Sequence, residues 1–77
     1  MRMVNLGNEL LRISPKNPQS LEFSRDGGRI WQTRMVGGNA IGDFTELMYT
    51  GSELLGRTSK GLYVSTTGGR NWQRRGW

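Results

Sequence analysis

Apolar positions along this chain keep no helical period over a window of useful length. They come instead in short bursts bounded by glycine, proline or polar turn residues, a pattern that predicts strands. The bursts are "RMVNL" (2–6), "ELLRIS" (9–14), "SLEFS" (20–24) and "RIWQTRMV" (29–36), then "DFTELMYT" (43–50), "ELLGRT" (53–58), "LYVST" (62–66) and "NWQRR" (71–75). In "DFTELMYT", strict alternation sets Thr45, Leu47 and Tyr49 on one face and Phe44, Glu46 and Met48 on the other, which predicts an inner strand covered on both sides. Between the two sets lies "GGNAIG" (37–42), whose glycines predict a crossover from one sheet to the next.

The second set repeats the first. At an offset of 41, Leu21, Ser24, Gly27, Gly28, Arg29, Trp31, Gln32 and Arg34 meet Leu62, Ser65, Gly68, Gly69, Arg70, Trp72, Gln73 and Arg75. Upstream, "GNELL" (7–11) matches "GSELL" (51–55) at an offset of 44, so the first copy carries three extra residues, within the turn-rich "SPKNPQS" (14–20). The expectation is an all-β chain of two four-stranded antiparallel sheets: residues 1–36, a crossover at 37–42, and residues 43–77.

Each copy has the same turn before its last strand. Gly27–Gly28 and Gly68–Gly69 supply the positive φ that such a turn needs. Asp26 is expected to accept hydrogen bonds from the turn's own amides and Ser24 to bond locally. Trp31 supplies large apolar area to the return strand. The spacing of Ser24, Asp26, Gly28 and Trp31, S-x-D-x-G-x-x-W, resembles the Asp-box, or bacterial-neuraminidase repeat. In the second copy Ser65, Gly69 and Trp72 fit the spacing and Thr67 replaces the aspartate. The resemblance implies two β-propeller blades covering nearly the whole chain, with the box residues structural and placed at the blade periphery. It also implies one rim made by the loops between second and third strands and those between blades, which here carries Lys16, Asn17, Asn39 and Lys60 as ligand-binding candidates for a glycan or another anionic ligand. The family's hydrolases point to Arg57, Tyr49, Tyr63, Glu46 and Asp43 as raw material for a sialidase-like site, but ring symmetry would repeat identical groups where such catalysis needs distinct roles.

Composition sharpens this picture. Hydrophobic residues are 34% of the chain and twelve residues are glycine, so 77 residues bury too little to be comfortable alone. Two blades are also too few to close a ring, so three or four chains are expected to associate head to tail into six or eight blades. A face-to-face sandwich is the competing arrangement. The absence of cysteine and histidine removes disulfides, the common zinc spacings, and mechanisms that use a histidine base or a cysteine nucleophile. No cofactor or metal is expected. A net charge of +5 favours anionic partners: Arg34, Arg74 and Arg75 are the candidates for a polyanion or nucleic-acid surface, and Arg70, Arg74 and Arg75 lie among Trp72 and Trp77. Without an apolar segment long enough to target or span a membrane, a soluble cytoplasmic protein is the default expectation.

Overall fold

The computed structural model describes residues 1–76; Trp77, expected beside the arginines of the last segment, lies outside the described residues. β1 (Met3–Asn5), β2 (Leu10–Ile13), β3 (Ser20–Ser24) and β4 (Gln32–Val36) form the first sheet. β5 (Phe44–Tyr49), β6 (Leu54–Thr58), β7 (Gly61–Ser65) and β8 (Gln73–Gly76) form the second. Both sheets are antiparallel and take their strands in chain order, the architecture that the bursts predict. The crossover contains a single helical turn, α1 (Gly38–Ile41), too short for any sequence period to reveal. No helix among the described residues is long and apolar enough to cross a membrane.

The extra residues of the first copy have a structural task. Their loop passes its Pro18 carbonyl to the amide of Phe44 and its Gln19 carbonyl to the amide of Gly37, both at 2.8 Å, so it braces both ends of the crossover. Asn17 and Asn39 both accept from Gln19, at 3.1 and 2.9 Å, which ties the loop to α1.

β5 of the second sheet packs against β1 and β2 of the first, a contact that neighbouring propeller blades and a two-sheet sandwich share. One face of the first sheet brings Val4, Leu11, Ile13 and Leu21 into a core with Phe44, Leu47 and Leu54 from the second. Burying each of the larger of these side chains contributes about 1.5–3 kcal/mol. Pairing of Phe44 with Thr58 and of Leu47 with Gly56, across a register shift before Glu46, places Phe44 and Leu47 on one face. Simple alternation puts them on opposite faces, so the expectation for "DFTELMYT" is corrected: a bulge adds one residue, and side chains beyond it change side. β5 is consequently covered on one side, with Leu47 at 1% exposure and the adjacent Met48 at 48%.

Candidate functional site

The repeated turns are the best-built feature of the surface. In the first, Ser24 Oγ accepts the amides of Asp26 and Gly28 at 3.3 and 2.9 Å and donates to Asp26 Oδ1 at 2.7 Å. Asp26 Oδ1 also accepts the amides of Arg29 and Ile30, at 3.1 and 3.0 Å. The bond from Ile30, then that from Ser24, does most to hold the Asp26 carboxyl below its ordinary pKa. Trp31 Nε1 closes the turn on the Gly28 carbonyl at 2.9 Å.

The second turn copies this wiring with one loss. Ser65 Oγ accepts from Thr67 and Gly69, and Trp72 Nε1 donates to the Gly69 carbonyl at 2.8 Å. Thr67 Oγ1 accepts the amide of Asn71 at 2.9 Å, whereas the amide of Arg70 turns to the Thr67 backbone carbonyl at 3.3 Å. Gly27 and Gly28 have φ of 78° and 96°, and Gly68 and Gly69 have 69° and 92°, so the two backbones follow one path. The side chains of Ser24, Asp26 and Trp31, and of Ser65, Thr67 and Trp72, bond within the turns themselves.

A second repeated device was not singled out from the sequence. Arg34 grips Glu9 with both terminal nitrogens, at 2.8 and 2.9 Å, and Arg75 grips Glu53 likewise, at 3.1 and 2.8 Å. Each arginine is the extra residue of a bulge in its outer strand pair, between the partners Thr33 and Met35 in one sheet and Arg74 and Gly76 in the other. A bulge re-aims the side chain toward a face it would otherwise miss. The recurrence of glutamate in "GNELL" and "GSELL", together with the aligned arginines, was the available signal.

The two pairs differ in surroundings. Arg34 and Glu9 side chains are 2% and 8% exposed, and Arg34 Nη1 also donates to the Gly68 carbonyl of the other sheet at 2.9 Å. The Arg34 hydrogen bonds are the main reason that the Glu9 carboxyl lies below its ordinary pKa, with burial opposing and the charges of Arg34, Arg25 and Arg70 assisting. Arg75 and Glu53 are 46% and 35% exposed. Their mutual hydrogen bonds lower the carboxyl and raise the guanidinium.

These placements revise the basic patch. Arg34 is sealed inside the chain and cannot share a polyanion surface with Arg74 and Arg75; Arg75 is paired, and Arg74 stands exposed. Arg12 pairs with Glu22 at 2.8 Å and lies over Trp31, 4.0 Å from the ring centre. The rim candidates Lys16, Asn17, Asn39 and Lys60 are all exposed at the same end of the sheets, with Asn17 and Asn39 already joined through Gln19.

Of the residues considered for hydrolysis, Arg57, Glu46, Tyr49 and Tyr63 have side-chain partners, and Asp43 bonds through its backbone. Arg57 pairs with Glu46 at 3.4 Å, the Tyr49 hydroxyl donates to the Gly51 carbonyl, and the buried Tyr63 donates to the Ala40 carbonyl. Asp43 offers its amide to Ser59 Oγ at 3.0 Å. An apolar groove of about 510 Å³ runs between the first strands of the two sheets, walled by Met1, Met3, Leu10, Met48 and Tyr49 among others. Comparison of the chain with protein-family models, curated proteins and solved structures finds no match.

Proposed function

We propose that this chain is a non-enzymatic repeat module of the Asp-box type, working in binding or assembly, and that three or four copies join head to tail into a closed β-propeller. The observation that carries this reading is the unequal burial of equivalent faces. Leu11 and Val4 are 0% and 9% exposed beneath the second sheet, while their counterpart Leu55 is only half-buried and Met48 is 48% exposed. On the opposite side, Leu47 is 1% exposed and its counterpart Met3 is 46% exposed. One chain therefore carries one satisfied contact between sheets and the two halves of another.

The turn wiring supports the motif resemblance, since Ser24, Asp26, Gly28 and Trp31 act on the turn itself. In the assembled ring, Lys16, Asn17, Asn39 and Lys60 from each copy surround one mouth, suited to a glycan or another anionic ligand. Size-exclusion chromatography with light scattering tests the assembly. Three or four chain masses in one sharp peak are expected, and a single chain mass at every loading contradicts it. A glycan array then tests the rim: binding lost in a chain carrying Lys16→Ala and Lys60→Ala is expected, and an unchanged profile removes these residues from the site.

A further inference from the structure

Resting on that reading of self-association, we propose that the Glu53–Arg75 pair is a docking latch that captures the Gly27 carbonyl of a second copy. The template is internal. Within one chain the equivalent pair, Glu9 and Arg34, receives the tip of the other sheet's turn, and Arg34 Nη1 binds the Gly68 carbonyl at 2.9 Å. Gly27 is the counterpart of Gly68 at the shared offset of 41. It has the same left-handed conformation, φ 78° against 69°, inside a turn held by the same serine and tryptophan bonds. Its carbonyl therefore leaves the first sheet in the direction in which the Gly68 carbonyl leaves the second.

The receiving end is equally matched. Arg75 is fixed by both carboxylate oxygens of Glu53, and among the described residues it has no third acceptor of the kind that Arg34 finds in Gly68. A guanidinium fork already ordered by a carboxylate donates a further hydrogen bond with little additional loss of freedom. Leu55 in the same sheet corresponds to Leu11, whose Cδ2 would lie 3.0 Å from a Cβ on Gly69. The occupant is therefore a second copy offering its own glycine turn.

One difference sets the strength of the contact. Where the second sheet has Gly56, the first has Arg12, which lies over Trp31 and pairs with Glu22. Docking covers this ion pair as well, and the desolvation it entails makes the contact between copies weaker than the internal one.

Sedimentation of the full chain over a concentration series gives the dissociation constant for wild type and for Arg75→Ala, Arg75→Lys and Arg74→Ala, with circular dichroism to verify the fold. Arg75→Ala should weaken association roughly ten- to hundredfold, as loss of a hydrogen bond to a charged group implies. Arg75→Lys, which keeps the charge but not the fork, should weaken it less, and Arg74→Ala should leave it unchanged. If Arg75→Ala fails to fold, the lysine variant decides. Wild-type affinity in both Arg75→Ala and Arg75→Lys overturns the latch while leaving head-to-tail assembly standing. A wild-type chain that stays single overturns both.

Discussion

Phe44 and Trp72 meet with ring centres 5.2 Å apart and planes tilted by 59°, directly over the bare backbone of Gly56. The glycine creates this pairing. A Cβ at position 56 would stand 2.6 Å from Phe44 Cε1 and 3.0 Å from Trp72 Cζ3, and neither ring has room to retreat, because Phe44 is buried in the core and Trp72 is anchored to Gly69.

Gly56→Ala should therefore destabilise the chain even though alanine suits a strand better. Overpacking of about 1–3 kcal/mol outweighs a backbone gain of about 0.5–1 kcal/mol. A lowered urea midpoint with an unchanged slope is the expected result.

Thr67→Asp should do the reverse. An aspartate there can accept the amide of Arg70 as Asp26 accepts that of Arg29, a bond that the Thr67 hydroxyl does not make. A gain of about 0.5–1.5 kcal/mol is expected from one added hydrogen bond. Chemical denaturation of the variant beside wild type measures it.

The two ion pairs should respond differently to removal. Glu9→Gln leaves the Arg34 charge sealed at 2% exposure, and a loss of about 2–4 kcal/mol is expected. Glu53→Gln, at an exposed pair, should leave the unfolding midpoint of the dissociated chain unchanged within error. Parallel denaturation at low protein concentration distinguishes them.

Acid should destabilise the fold through identifiable carboxyls. Glu9 and Asp26 both have folded-state pKa values below their ordinary ones. Their stabilisation is fully present above the ordinary carboxylate range, near pH 4–4.5, and is lost as pH falls through the lower folded values. Urea midpoints from pH 7 to pH 3 should fall at the acid end, and less steeply in Glu9→Gln.

The repeat, the sheets and the turns were legible in the sequence because each is a local pattern. Glycine pairs demand a particular backbone, alternation marks strands, and an offset shared by Ser24, Trp31 and Arg34 aligns the copies. The face assignments were less legible. A single bulged residue at Thr45 moves Phe44 across the sheet, and similar bulges turn Arg34 and Arg75 toward glutamates 25 and 22 residues away in the chain. Arg34 resembles a surface cation in sequence because its partner and its seal are supplied by tertiary packing. The rim lysines kept the exposure expected of loop residues, but the role of Gln19 in joining Asn17 to Asn39 depends on a crossover helix of four residues.

Small-angle X-ray scattering of the wild-type chain bears most directly on the claim that equivalent sheet faces cover one another between copies. A lone chain has a Cα radius of gyration of 11.2 Å. Closed assemblies should give about 17 Å for three copies or about 19 Å for four, from the scaling of compact proteins with length, together with a forward intensity of matching mass. A radius near that of the lone chain, constant across concentration, would contradict the account.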